Sequence, residues 1–482
     1  MTTNFTQIFY TRANHTSLSV IEKERNWTYQ EFVRDANFAK TYFLNNNISK
    51  ILIAIPQGYY AYVLEWGAYL TGITFCPINI TNPLERMMYF INQFKPDIIF
   101  IDDNTILQVI DCQRIDPKNF LRDTPDFVDI IQPTQTHEIA YVIFTSGSTG
   151  LPKGVMVKRT GLDNFLAWST QEYPVGEDDV WGQYSNLGFD LSICDIFTAL
   201  IKGAALVPIA SPSEKLLPGI SIKNKRITFW HSVPSVVDVM SKAKHLNYTT
   251  LSSLKTITFC GERLFPSQLE LLFEANPTLI IYNTYGPTEA TIFCTFVKLD
   301  KDNYKTFCAN TVSIGHNIKG YDLQLNNTEE GLGEIFIVGE NIAKGYLGAS
   351  TNESFRTVTI DGKEENAYFT GDYGEIIDNN MYFVCRKDSQ IKISGNRIDL
   401  SEIDFCLRNY GCDACMTAFH RGKIISFVVK NVFSETEIRD YLSQKLPAYY
   451  LPHLIIEKEF FPYNNSGKID LKILLNSIEY LF

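Results

Sequence analysis

The sequence predicts an α/β protein: a large N-terminal domain of parallel or mixed sheets with flanking helices, then a small α+β domain. Three observations carry this. Short apolar, β-rich runs alternate with amphipathic stretches as far as about residue 345, as strands buried on both faces do when helices cover them. Several of these runs end in polar, glycine-bearing loops. Beyond about residue 385 the texture shifts to the highly polar run RKDSQIKISGNRIDLSEID (386–404).

In chain order, ILIAIP (51–56) and DIIFID (97–102) read as buried strands. VIFTSGSTG (142–150), ITFCGE (257–262) and LIIYNTYGP (279–287) each read as a strand running into a loop. Ligands of open α/β sheets sit beyond the carboxyl ends of strands, so these loops are expected to converge on one crevice. The tail holds strand-like ISFVVKNVF (425–433) and helical TEIRDYLSQKL (436–446). A boundary at Asp388 gives a core over 1–387 and a small domain over 388–482. No repeat of 20–50 residues and no low-complexity tract interrupts this order.

Composition narrows the function classes. The 482 residues are 45 % apolar and 20 % charged, with 28 Gly, 19 Pro and 10 Cys. Disordered, collagen-like and disulfide-scaffold classes are excluded. A net charge of −11 gives no broad attraction to nucleic acid or anionic membrane. The first residues lack a basic stretch followed by an apolar core, so no signal peptide is expected. The richest apolar stretch, Ala199 to Ala210, is short and carries Lys202, so no transmembrane helix is expected. Cys412 and Cys415 form the C-x-x-C pair, with only Cys406 and His420 nearby. Reduced thiols in a cytoplasmic protein are the expectation.

Thr145-Ser146-Gly147-Ser148-Thr149-Gly150-Leu151-Pro152-Lys153-Gly154 is the first chemical signal. Glycines let backbone N–H groups crowd an anion, hydroxyls add donors and lysine adds charge. The loop does not fit the Walker spacing. A flexible surface turn is the alternative for the loop taken alone.

Further motifs accompany it: WTYQEF (27–32), PINITNPLER (77–86), GFDLSICDIF (188–197), NTYGPTEAT (283–291), GEIFIVGENIAKGYLG (333–348), YFTGD (368–372), the 386–404 run and NNSGKID (464–470). In type and order they resemble the adenylate-forming superfamily of acyl-CoA synthetases, luciferases and nonribosomal-peptide adenylation enzymes, over nearly the whole chain. The resemblance implies a two-step reaction using ATP and Mg²⁺. A carboxylate attacks the α-phosphorus to give an acyl-adenylate and pyrophosphate, and a thiol then takes the acyl group.

The same resemblance implies residue roles. Lys468 reaches the substrate carboxylate and α-phosphate, and Glu289 associates with magnesium. Thr288 and Thr145 contact phosphate oxygens, within a nucleotide site that also takes Ser146, Gly147, Ser148, Thr149, Lys153, Asn283, Thr284 and Gly286. Tyr285 lies against adenine. Asp372 accepts the ribose hydroxyls, and Arg386 assists at ribose or phosphate. Asp388 is the hinge of a mobile small domain with two poses: one presents Lys468, the other the strand around Lys392 and Gly395.

Asp190 points to an α-amino acid, because amino-acid-activating members pair this aspartate with the substrate ammonium, and a buried carboxylate without a cation is costly. A helix N-cap is the alternative. The pocket wall implied by the alignment is Leu191, Cys194, His231, Thr258, Cys260, Thr284, Ile292 and Phe293. Within this branch FDLS (189–192), TFWHSVPS (228–235), TFCGERLFP (258–266) and NTYGPTEAT are most similar to the D-alanine–carrier-protein ligases, where a cysteine matches Cys260. Cys194 and His231 depart from that pattern. Serine, glycine and L-alanine therefore stay open beside D-alanine, as does a stand-alone peptide-synthetase-type enzyme. His231 as a satisfied core histidine is equally open. Only 14 residues follow Lys468, so the acceptor is expected to be a separate phosphopantetheinylated carrier protein.

Overall fold

A computed structural model describes residues 4–102, 112–122, 124–125, 136–146, 151–329, 331–348, 353–386, 390–393, 395–429, 434–462 and 469–482. The chain forms two compact units: Met1–Ile80, Gln93–Phe144 and Gly154–Cys385 make the first, and Thr81–Asn92, Thr145–Lys153 and Arg386–Phe482 the second. Two segments from early in the chain thus group with the C-terminal residues, which chain order alone does not reveal.

The first unit is the predicted α/β body. Its nine-stranded sheet runs in the order His316–Asn317, Thr295–Leu299, Ile280–Tyr285, Thr256–Phe259, Phe229–Ser232, Val180–Gln183, Ala205–Pro208, Leu18–Ile21, Asn26–Thr28. The six strands from Ile280–Tyr285 to Leu18–Ile21 are parallel; Thr295–Leu299 and Asn26–Thr28 run against them, and His316–Asn317 pairs antiparallel with Thr295–Leu299. The central strands are buried throughout, as their unbroken apolar runs require. A six-stranded sheet holds Lys50–Ala54, Thr74–Pro77, Ile98–Ile101 and Ile139–Thr145. A five-stranded sheet is formed by residues 322–386, its order led by the antiparallel strands Asp322–Glu329, Leu332–Val338 and Lys363–Ile377.

Local chemistry fixes the helices. In the WTYQEF motif, Thr28 accepts from the Glu31 N–H and Glu31 reaches back to the Thr28 N–H, so the helix Tyr29–Asn45 starts on a capping box. It packs on the helix Tyr59–Thr71, almost all of which is buried. Phe9 stacks on Trp66 at 4.3 Å, and Trp66 on Phe197 at 4.8 Å. These rings tie the N-terminal helix to the helical segment after Asp190.

In the second unit, helices Leu400–Tyr410 and Glu435–Lys445 accompany a sheet of Ala414–His420, Lys423–Val429 and Leu454–Glu457. Asp399 caps the first helix and a Ser434–Glu437 capping box starts the second. Arg86 meets the fully buried Glu402 at 2.9 Å and lies over the Tyr450 ring. Cys406, Cys412 and Cys415 are core residues of this unit. Among the described residues no helix is long and apolar enough to cross a membrane.

Glu65 is fully buried in the first unit, and neither carboxylate oxygen has a hydrogen-bond partner among the described residues. Burial pushes it well above the usual carboxylate range. Its folded value then exceeds the unfolded one (~4.3), so its contribution is full below that pH and is lost as pH rises. Glu65→Gln is expected to stabilise the fold at pH 8 by about 1–3 kcal/mol, with the gain shrinking towards pH 4. Thermal unfolding at the two pH values checks this.

Candidate active site

The carboxyl ends of the parallel strands gather the predicted residues of the first unit. After the strand Val180–Gln183 the chain loops to Asp190, buried at the first turn of the short helix Leu191–Ile193. Asp190 occupies the N-cap position in helical conformation and makes no side-chain capping bond, so capping does not account for it. Its charge is felt by the buried Tyr141 and Cys194. Burial, reinforced by Asp190, keeps the Tyr141 hydroxyl protonated. Leu191 is half-buried against the same core.

The helix then widens into a π turn, Cys194–Thr198, a device often found at functional sites. It sets Cys194 and Asp195 side by side and fully buried. Asp195 Oδ1 accepts from Trp181 Nε1 at 3.1 Å and lies 2.8 Å from His231 Nδ1. Burial raises the Asp195 pKa, while His231 and Trp181 oppose the rise. Cys194, Asp195 and His231 place ligand atoms within 4.8 Å of one another, as a cation would need. Burial pushes the Cys194 thiol up, and Asp195 Oδ1 is already met by both Trp181 and His231.

His231 pairs in register with Thr258 on the neighbouring parallel strand, and Cys260 directly follows that strand. The Phe293 ring meets His231 edge-on at 6.3 Å. Tyr173 packs beside Cys194, Thr258 and Cys260. Cys194, His231, Thr258, Cys260, Ile292 and Phe293 are therefore all buried around the carboxyl ends of these strands.

A tight reversal supplies the next group. Tyr285 and Thr295 are partners in antiparallel strands, so residues 286–294 must turn within one sheet edge. A Cβ on Gly286 would lie 2.3 Å from Phe293 Cα; only glycine fits there. Thr288–Ala290 form a 3₁₀ turn, followed by Thr291 and Ile292 at φ 55° and 73°. Two β-branched residues with positive φ are strained. The strain is held by the Thr291 hydroxyl donating to Asn341 O and by the Ala343 N–H donating to Glu289 O. Glu289 is 1 % exposed and accepts from the Tyr346 hydroxyl at 2.8 Å. The Tyr285 hydroxyl donates to Asp372 Oδ2 at 2.7 Å, and the Asp372 N–H donates to Thr370. Burial, then Asp372, pushes the Tyr285 hydroxyl well up. Thr284 donates to Phe259 O and Asn283 to Ser313 O, fixing both side chains.

In the second unit Thr145 Oγ1 is buried without a hydrogen-bond partner among the described residues, Ser146 is buried and Lys153 half-buried. Arg386 ends the strand Asn380–Arg386. Gly147, Ser148, Thr149, Asp388 and Lys468 lie outside the described residues. Sequence reasoning missed Asp195, Trp181, Tyr141, Tyr173 and Tyr346. Asp195 alone carried a signal: a second acid in the apolar run after Asp190 needs a buried partner.

Residues 7–347 match the AMP-binding enzyme family. The chain belongs to this family, and adenylating-ligase chemistry is what the family and its ligase-named relatives support. A D-alanine–D-alanyl carrier protein ligase of Staphylococcus epidermidis is 30 % identical over 84 % of this chain and 85 % of that one. Its counterpart in Staphylococcus haemolyticus is 28 % identical over 97 % of both. Among solved structures, the Vibrio cholerae adenylation domain AlmE with glycyl-adenosine-5'-phosphate superposes with TM-score 0.85, at 24 % identity, over 99 % of this chain and 98 % of that one. The peptide-synthetase protein PA1221, with adenylation and carrier domains, gives TM-score 0.83 at 22 % identity over 98 % and 84 %. Both structures share the fold.

Gly286→Ala is expected to abolish ATP turnover and lower the thermal midpoint, since the clash is with backbone rather than a mobile side chain. Turnover and unfolding measured on one preparation check this.

Proposed function

We propose that this chain activates a small α-amino acid with ATP and passes it to the phosphopantetheine thiol of a separate carrier protein in the cytoplasm. The observation that carries the reading is Asp190. It is a buried carboxylate that does not cap its helix, set beside Cys194 and Tyr141, and a substrate ammonium gives it a reason to be there. The relatives' names make D-alanine the first substrate to test.

The chemistry follows. Asp190 holds the ammonium, which aims the substrate carboxylate at the α-phosphorus of ATP. A carboxylate oxygen forms the new bond to phosphorus and pyrophosphate leaves. Lys468 meets the negative charge that gathers as the two anions approach. Asp372, already oriented by Tyr285, accepts the ribose hydroxyls, and Thr145 and Thr288 donate to phosphate oxygens. Mg²⁺, a hard cation taking oxygen ligands, fits the buried carboxylate Glu289; when bound it neutralises phosphate charge. In the second half the carrier thiolate attacks the acyl carbonyl and AMP leaves. A small C-terminal domain, 388–482, turning about Asp388 would present Lys468 first and the strand around Lys392 and Gly395 second.

Amino-acid-dependent ATP–pyrophosphate exchange tests the reading. D-alanine should support exchange, and propionate, which lacks the amine, should not. Lys468→Ala should cut exchange by about a hundredfold or more, while hydrolysis of preformed aminoacyl-adenylate is largely spared. Asp190→Ala should raise the amino-acid KM steeply with a smaller change in the KM for ATP. An unchanged amino-acid KM would place the ammonium elsewhere.

A further inference from the structure

His231 is fully buried, and its two ring nitrogens have different surroundings. Nδ1 lies 2.8 Å from Asp195 Oδ1. The same oxygen accepts from the Trp181 indole N–H, which can only donate. Oδ1 is therefore an acceptor, and the imidazole facing it carries its proton on Nδ1. In the neutral imidazole that assignment leaves Nε2 with a free lone pair. Nε2 is buried and has no hydrogen-bond partner among the described residues. Cys194, Thr258 and Phe293, all pocket-wall residues, surround the ring. A native interior seldom leaves a buried acceptor unpaired; a ligand or an ordered water completes it.

We propose that His231 reads the substrate's side chain as a hydrogen-bond acceptor, so that the pocket takes a small amino acid bearing a hydroxyl, serine in one of its two hands, ahead of one ending in a methyl group. This rests on the amino-acid-activating reading above and narrows its substrate. Serine's hydroxyl satisfies Nε2. Alanine or glycine leaves the acceptor dry and unpaired, or retains a water in its place. 2-Aminobutyrate is the sharper comparison, because it puts a methyl group where serine has oxygen. Asp195 and Trp181 act as positioning residues: they fix the tautomer and do not touch the substrate.

The test is pyrophosphate exchange by the full chain with D- and L-serine, D- and L-2-aminobutyrate, D- and L-alanine and glycine. One serine enantiomer should exceed both its 2-aminobutyrate counterpart and alanine in kcat/KM by about tenfold or more. His231→Val should bring that ratio near unity, and His231→Gln, which keeps an acceptor, should restore part of it. Asp195→Leu, which removes the oxygen that fixes the Nδ1 proton, should raise the serine KM more than the alanine KM. Wild-type exchange with alanine or 2-aminobutyrate at least as good as with serine would overturn the inference and leave the activation reading standing. Exchange with no amino acid at all would overturn both.

Discussion

The close approach of Gly286 to the Phe293 backbone is the constraint on which the rest of the first unit's site depends. Strands Ile280–Tyr285 and Thr295–Leu299 pair up to Tyr285 and Thr295. The intervening residues must then fold back within van der Waals distance of the strand end, and the missing Cβ at Gly286 makes that possible. The compression forces Thr291 and Ile292 into the left-handed region. It also sets Glu289, Ile292 and Phe293 around the carboxyl edge of the parallel strands. A looser loop would separate the acid from the pocket wall.

Around that edge the buried acids are held by neutral donors. Glu289 takes the Tyr346 hydroxyl, Asp372 the Tyr285 hydroxyl, and Asp195 the Trp181 indole. A neutral donor orients a carboxylate and stabilises its charge without cancelling it. Tyr285 and Tyr141 are pushed well up by burial next to such acids, so they stay donors across the working pH range. The π turn at Cys194–Thr198 adds the last element, since it sets Asp195 against His231 rather than along the helix face.

The α/β class was legible because buried parallel strands need continuous apolar runs, and the runs at 51–56, 97–102 and 257–260 are strands or strand ends in the structure. The carboxyl-end rule led only to the convergence of the loops; the set Asp190, His231, Thr258, Cys260 and Phe293 is what the family resemblance implies, and all five are buried. The π turn left no trace in hydrophobic periodicity, because one extra residue in a helix that is apolar all round does not disturb the pattern. Tyr346 lies 57 residues from Glu289, and Trp181 lies on a different element from His231. Single-sequence reading has no means of pairing residues so far apart. The grouping of Thr81–Asn92 with Arg386–Phe482 is a tertiary fact of the same kind. The role of His231 could be posed from sequence as a choice between ligand and core residue. Its orphan Nε2 emerges only once Asp195 is seen to hold the other nitrogen.

Asp190 is proposed to give the pocket its affinity for an ammonium. Calorimetric titration of wild type and Asp190→Asn with a non-hydrolysable aminoacyl-adenylate analogue, and with the same analogue lacking its α-amine, addresses it directly. Wild type should bind the amine-bearing analogue about a hundredfold more tightly, roughly 2.7 kcal/mol, and the variant should bind both alike. Equal affinity of wild type for the two analogues would contradict the account.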